Sequence, residues 1–169
     1  MPPIFPVNTT RLDPYKAYRF IIYFGQSTTR VAAVSKISKL SRSSQVIEYN
    51  EGGNAITLKG LGRTKYDAVT VERGITQDKD FITWADMAQK LDNGEPTTSL
   101  LDLRKEVRVQ LLNEEGQPVH GYILHRCWVS EFQALPDLDA GGNAVAIEHV
   151  KIENEGWEVD PAIVEVKET

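Results

Sequence analysis

The sequence predicts a single, mainly β domain with an antiparallel sheet and one flanking helix at about residues 79–92. Short apolar stretches recur along the chain with glycine-containing turns between them, a pattern typical of a barrel or a sandwich. Strands do not alternate with helices, which favours antiparallel over parallel pairing. Because the chain has 169 residues, 41% hydrophobic and 25% charged, we expect one domain over residues 1–169.

Composition excludes several classes of protein. The sequence has no run of about 18 uncharged apolar residues, so we expect no membrane insertion by this chain alone. Cys127 is the only cysteine, which excludes an internal disulfide and a zinc site built on several thiolates. The net charge of −5 gives no reason to expect a protein that grips nucleic-acid phosphates.

Charge is divided unevenly along the chain. Residues 1–45 hold seven Lys or Arg and one acid, a net charge of +6, whereas residues 46–169 hold twelve Lys or Arg and twenty-three acids, a net charge of −11. The basic residues are interleaved with strand-like apolar positions. This division favours two surfaces of opposite sign over a basic tail, with a chance bias spread over solvated faces as the alternative.

Local patterns predict the elements in order. Four prolines indicate an extended N-terminal arm over residues 1–14, and residues 158–169 are interpreted as a C-terminal tail. Stretches rich in β-branched and aromatic residues predict strands at residues 18–24, 30–37, 46–49, 66–71, 107–111, 119–132 and 145–152. Residues 38–45 are polar and loop-like, and residues 97–103 are ambiguous.

A glycine-rich stretch lies at about residues 50–63. Gly52, Gly53, Gly60 and Gly62 surround a short apolar segment there. The composition predicts an extended, exposed loop or a projecting hairpin. Long loops inside a compact domain are usually functional, so we expect this segment to make a contact.

One segment has clear helical periodicity. Apolar residues at a spacing of three and four form one stripe that we expect to pack on the sheet: Phe81, Trp84, Ala85, Ala88 and Leu91. Asp78 is the expected N-cap, and Asn93-Gly94 followed by Pro96 supplies the stop signal.

No constellation of residues predicts a catalytic centre, a metal site or a cofactor. His120 and His125 are five residues apart and so lie on opposite faces of one predicted strand, while His149 lies on another. Cys127 sits in mid-strand, where a small buried side chain is expected in place of a nucleophile. The alternative functions are a monomeric barrel that binds a small apolar ligand behind a mouth loop at residues 54–62, and, less favoured, an enzyme.

Several strings of the sequence resemble the tube-forming proteins of contractile phage tails and phage-tail-like contractile injection systems, relatives of the hemolysin-coregulated tube protein. The resemblance extends in order over about residues 13–157. Its strings are Asp13-Pro14-Tyr15, Ala33-Val34-Ser35-Lys36-Ile37-Ser38-Lys39-Leu40, Val46-Ile47-Glu48-Tyr49-Asn50-Glu51-Gly52-Gly53, Lys65-Tyr66, Glu72-Arg73-Gly74-Ile75-Thr76 leading into Asp80-Phe81 and Trp84, Asn113-Glu114-Glu115-Gly116-Gln117-Pro118-Val119, Leu138-Asp139-Ala140-Gly141-Gly142-Asn143 and Ala146-Ile147-Glu148.

The resemblance implies a β-barrel with a flanking helix, whose helix–barrel core would include Phe81, Trp84, Ala88 and Leu91. It implies six copies per ring and rings stacked head to tail into a hollow tube, which a contracting sheath drives through a target envelope. The implied partners are further copies of the chain, a sheath protein, baseplate or spike and tube-terminating proteins, and a lumenal cargo of effector protein or DNA. Such a subunit assembles in the cytoplasm of the producing cell and becomes part of a tail or an injection particle.

The resemblance also assigns the ring-to-ring contact to the loop after Tyr49. The residues implied in that contact are Glu48, Tyr49, Asn50, Glu51, Gly52 and Gly53. From the charge division we expect basic partners on the next ring, with four candidates: Arg30, Lys36, Lys39 and Arg42.

Overall fold

The computed structural model describes residues 14–31, 34–95 and 99–165. The chain is mainly β, as predicted. The elements in these ranges are, in order, β1 (Phe20–Phe24), β2 (Val34–Ile37), β3 (Arg42–Tyr49), β4 (Leu58–Tyr66), β5 (Val69–Gly74), α1 (Asp80–Asp92), α2 (Leu100–Leu103), β6 (Lys105–Leu112), β7 (Pro118–Gln133), β8 (Ile147–Glu153) and β9 (Trp157–Val159).

The strands form two antiparallel sheets. The larger sheet has the order β1-β6-β7-β8-β5-β2, with β9 paired to β7, and the smaller one is the β3–β4 hairpin. β7 joins the two halves of the larger sheet, because its first half pairs with β6 and β9 and its second half with β8. Long-range antiparallel pairing therefore dominates the fold.

The predicted barrel is wrong, because over the described residues the larger sheet is an open path with β1 and β2 as its ends. The chain returns toward β1 only at Val31, whose N–H donates to the Ile22 carbonyl at 2.8 Å. β2 then begins at Val34 and pairs with β5. Among the described residues β2 forms no ladder with β1, so the sheet is not closed.

The core lies between the sheet and α1. Period-two alternation sends every second strand residue inward, and helix α1 adds Phe81 and Trp84. Phe24 of β1 contacts both rings, at centroid distances of 5.7 and 4.8 Å. Cys127 is buried in the same cluster, and this burial raises the pKa of its thiol to about 12.

The predicted helix is present, but its N-cap position is not the expected Asp78. The Asp78 carboxylate accepts a hydrogen bond from the Asp80 N–H at 2.9 Å, although Lys79 occupies the formal cap position and its side chain makes no capping bond. At the other end Gly94 takes a left-handed φ of 72°. A short second helix, α2, follows within the ambiguous segment and is capped by Ser99, whose hydroxyl accepts from the Asp102 N–H at 3.2 Å.

The glycine-rich stretch is a hairpin whose second strand includes residues 58–63, so the turn is limited to residues 50–57. The polar residues 42–45, predicted as loop, belong to β3. The register of the hairpin shifts between Ser44 and Val46. At this bulge a Cβ on Gly62 would lie 2.7 Å from the Gln45 carbonyl oxygen, so glycine is required there.

The C-terminal segment is docked on the sheet as far as it is described. Residues 158 and 159, predicted as tail, belong to β9, and the Asp160 N–H donates to the Gly121 carbonyl at 2.8 Å. Ile163 covers Gly121 so closely that a Cβ there would lie 2.5 Å from the Ile163 Cδ1 atom. The Tyr15 hydroxyl donates to Glu165 at 2.9 Å, while the rest of the predicted arm, residues 1–13, lies outside the described residues.

Candidate assembly surfaces

The β3–β4 hairpin is the most exposed part of the described fold. Every residue of β3 is exposed, including three large apolar side chains, and Leu61 on β4 is 82% exposed. The exposed apolar residues of the hairpin and its turn are Val46, Ile47, Tyr49, Ile56 and Leu61. Exposed apolar patches of this kind are typical of surfaces that contact another molecule.

The register divides these side chains between the two faces of the hairpin. Val46 lies directly opposite Leu61 on one face, and Tyr49 lies opposite Leu58 on the other. Glu48 is paired across the strands with Lys59, on the Val46 face. Each face is therefore partly apolar, and a two-stranded ribbon has no core of its own to bury them.

Four of the predicted stacking residues, 50–53, lie in the turn of the hairpin. Residues 50–57 are exposed, and the backbone is held by an Asn54 N–H bond to the Glu51 carbonyl at 3.1 Å. The Asn54 side chain accepts from the Ile56 N–H at 3.0 Å. Gly53 takes a φ of 85°, which glycine adopts without strain.

The base of the hairpin is anchored to the larger sheet. The Arg42 guanidinium lies 5.6 Å from the centre of the Trp157 ring, and Tyr66 meets the same ring edge-on at 6.2 Å. The Ser41 hydroxyl donates to the Asp67 carboxylate at 2.6 Å. The ribbon is thus fixed at one end and exposed along the rest of its length.

The four candidate basic residues do not meet the acidic hairpin turn within one copy. Arg42 is at the base of β3, and Glu51 lies nine residues further on, about 30 Å in an extended strand. Lys36 is paired with Glu72 at 3.7 Å. Arg30 and Lys39 are exposed and form no ion pair with any described residue.

A buried arginine that the sequence analysis did not single out joins β5, β8 and the start of α1. Arg73 is fully buried, and its Nε donates to the Glu148 carboxylate at 2.6 Å. Its Nη2 donates to the Asp78 carbonyl at 2.6 Å, and its guanidinium lies 4.0 Å from the centre of the Phe81 ring. Alternation along the strand places Arg73 on the same face as Val69 and Val71, but its burial also requires Glu148, its cross-strand neighbour.

The histidines of the described residues contact neighbouring polar side chains. His125 lies between Glu106 and Glu158 at 3.4 and 3.2 Å, and His120 contacts the Tyr122 hydroxyl at 3.0 Å. Among the described residues no three His, Cys, Asp or Glu side chains are grouped to hold a metal ion. None of the described helices is long and apolar enough to cross a membrane.

Comparison with known families identifies the family of the chain. The sequence model of the family described as T4-like virus tail tube protein gp19 matches residues 16–158. The chain belongs to this tail tube family. The tail tube protein described above is therefore a structural subunit and not an enzyme, which agrees with the resemblance found in the sequence.

Solved structures with the same fold come from phage-tail-like particles. A chain of the anti-feeding prophage (AFP) baseplate is 26% identical with a TM-score of 0.71, covering 87% of this tail tube protein and 95% of that chain. A chain of the sheath-tube complex of PVC, an extracellular contractile injection system, is 19% identical with a TM-score of 0.72, over 87% and 91% of the two chains. A chain of the AFP tube-terminating cap is 20% identical with a TM-score of 0.70, covering 89% of this tail tube protein and 93% of that chain. A search of curated proteins gave no match.

Proposed function

We propose that six copies of this tail tube protein form a ring and that the rings stack head to tail into a hollow tube, with the β3–β4 hairpin as the ring-to-ring contact. The observation that carries this proposal is the exposed hairpin, fixed at its base and apolar on both faces. An isolated two-stranded hairpin is marginally stable in water. Contact with a neighbouring ring would bury side chains that a lone subunit leaves in solvent.

The turn of the hairpin supplies the polar part of the contact in this proposal. Glu51 is exposed at the turn, and Asn50, Gly52 and Gly53 surround it. Arg30 and Lys39 are the preferred partners on the next ring, because Lys36 is already paired with Glu72 and Arg42 already contacts Trp157. Opposite charges on the two ring faces would favour one stacking polarity and penalise head-to-head contact.

The related particles support a proposal about the partners of the tube. The similar chains come from a baseplate, a sheath-tube complex and a tube-terminating cap. We infer that this tube assembles in the cytoplasm of the producing cell, contacts a sheath, a baseplate and spike, and a terminator, and becomes part of a virion-like particle. Its lumen would carry effector protein or DNA when the sheath contracts. The alternative function, binding of an apolar ligand inside a barrel, requires a closed sheet, and the larger sheet is open over the described residues.

Size-exclusion chromatography and negative-stain electron microscopy of the purified full chain test the assembly. Rings or rods are expected, and their ring images should show sixfold symmetry. A species of 19.0 kDa at every concentration, with no rings or rods on the grid, would contradict the proposed function.

The variant Glu51→Lys tests the hairpin contact within that assembly. Stacking should be impaired while rings still form, and assembly of the parent should slow at high salt because the screening length falls from about 10 Å at 0.1 M to about 3 Å at 1 M. Asp86→Lys is the matched control, since it makes the same charge change at an exposed position of α1. Rods of normal length and yield from Glu51→Lys at low salt would show that apolar and backbone contacts hold the stack.

A further inference from the structure

An apolar groove lies on the surface where α1, α2 and β7 meet. Its volume is about 540 Å³, and it continues into a second depression of about 470 Å³ that shares Leu100 and Arg104 with it. Leu101, at the outer edge, is 85% exposed. The side chains that form the groove are Ala88, Leu91, Leu100, Leu101, Leu103 and Trp128. The apolar stripe of α1 is thus buried in the core at Trp84, whereas Ala88 and Leu91 further along the helix line the open groove.

Two arginines border the groove. Arg104 and Arg126 share a single carboxylate, that of Glu155, at 3.2 and 3.1 Å. Two guanidinium groups therefore share one carboxylate at this edge, and Asp92 is a further carboxylate in the lining of the groove.

Arg126 is held in a strained backbone conformation. Its φ is 51°, the only left-handed non-glycine value among the described residues, at a bulge in β7. A bulge re-aims a side chain, and strain of this kind concentrates at functional positions. The Arg126 side chain is 61% exposed, so burial of its own side chain does not repay the strain.

The loop between β7 and β8 is acidic, whereas the edge of the groove is basic. It exposes Leu135, Leu138 and Val145 together with Asp137 and Asp139, and residues 134–146 contain no basic residue. The loop has a defined shape, because the Asp139 carboxylate accepts from the Gly141 N–H at 2.9 Å and the Asp139 carbonyl accepts from the Gly142 N–H at 3.1 Å. It is an ordered, acidic segment with apolar side chains in solvent.

We propose that the loop at residues 134–146 of one copy docks into the groove between α1, α2 and β7 of another copy. The leucines of the loop fill the apolar floor, and Asp137 and Asp139 face the Arg104–Arg126 edge. Within one copy the loop does not fill the groove, because no residue of 134–146 lines either depression and Leu135 and Leu138 are exposed. The two surfaces differ, so the contact is heterologous and generates a closed ring or an open stack. The inference rests on the proposed assembly of copies and names a second contact in it.

Cross-linking of the full chain tests this contact. In the variant Leu101→Cys/Leu138→Cys a short bismaleimide is expected to give a ladder of covalent dimers and higher species, at least tenfold above that of either single variant. The native Cys127 is buried and does not contribute. The matched control is Ile82→Cys/Leu138→Cys, which places the first thiol at an exposed position of α1 outside the groove.

A second variant separates a role in docking from a role in folding. Arg126→Gly relieves the left-handed backbone and removes one guanidinium, so the melting temperature should stay the same or rise while cross-linking of the Cys pair falls severalfold. Rings or rods without a ladder, or a ladder as strong in the Ile82 control, would overturn the docking proposal and leave the proposed function standing. Absence of both assembly and ladder would overturn both.

Discussion

Removal of the Trp84 side chain is expected to destabilise the fold strongly, because Trp84 is one of the two buried residues of α1. Trp84 is 1% exposed, and its ring lies 4.8 Å from that of Phe24. Its indole N–H donates to the Leu103 carbonyl at 2.8 Å, which ties α1 to the end of α2. Trp84→Ala therefore removes a packed aromatic ring and leaves a buried carbonyl without its donor.

We expect Trp84→Ala to lower the free energy of unfolding by about 3–5 kcal/mol, the usual cost of a buried aromatic truncated to alanine. Trp84→Phe keeps most of the ring contact but loses the N–H, so its cost should be about 1–3 kcal/mol, the penalty for an unsatisfied buried carbonyl. Whole domains are stable by only about 5–15 kcal/mol. Trp84→Ala should therefore remove a large part of the total stability.

Urea denaturation followed by circular dichroism measures these changes on the full chain. Ile82→Ala is the matched control on the same helix. Because Ile82 is 41% exposed, this substitution should lower the free energy of unfolding by much less than Trp84→Ala. If Trp84→Ala unfolds at the same urea concentration as the parent, or no earlier than the Ile82 control, then Trp84 faces solvent or a partner and the assignment of this helix face is wrong.

Three further changes test the interior. Arg73→Met should cost about 3–5 kcal/mol, because it leaves the Glu148 carboxylate buried without its partner, and Glu148→Gln in the same chain should recover part of that loss in urea denaturation. Cys127 should not react with a thiol reagent at pH 8 until the chain unfolds; because its pKa is raised, the stability it contributes is present below pH 9 and is lost as the pH rises toward 12, a slope that Cys127→Ala should remove. Gly121→Val should lower the melting temperature and increase proteolysis of the C-terminal segment, because the new side chain would displace Ile163; an unchanged melting temperature would contradict the tight docking of that segment.

Local pattern was enough to predict the elements that depend on local physics. The apolar stripe of α1 and its stop at Asn93-Gly94 follow from helical period and glycine's left-handed φ, and the structure has the helix at Asp80–Asp92. The exposed glycine-rich segment was also visible, although only strand pairing shows that it is a hairpin. Residues 58–63 carry too many glycines and exposed positions for propensity to predict a strand.

The features that the sequence did not predict depend on long-range geometry. An open sheet and a barrel share the same alternation of residues, and the choice between them is made where β2 begins and which strand it meets. The strained bulge at Arg126 depends on the register between β6 and β7, and the burial of Arg73 depends on its cross-strand neighbour Glu148. Single-sequence patterns contain none of these distances.

Stacking through the hairpin, as proposed, would be weak for one copy and strong for a complete ring. A lone hairpin offers a neighbour only a few apolar and charged side chains, and contacts between exposed charges contribute about 1 kcal/mol or less each. In a ring of six copies, as proposed, six such contacts form together, and about 1 kcal/mol per copy sums to about 6 kcal/mol, roughly a factor of 10⁴ in the stacking equilibrium. Two free subunits gain only one of these contacts and also lose their independent motion. Stacking should therefore start only once a ring is complete, which makes ring closure the step that controls when the tube grows.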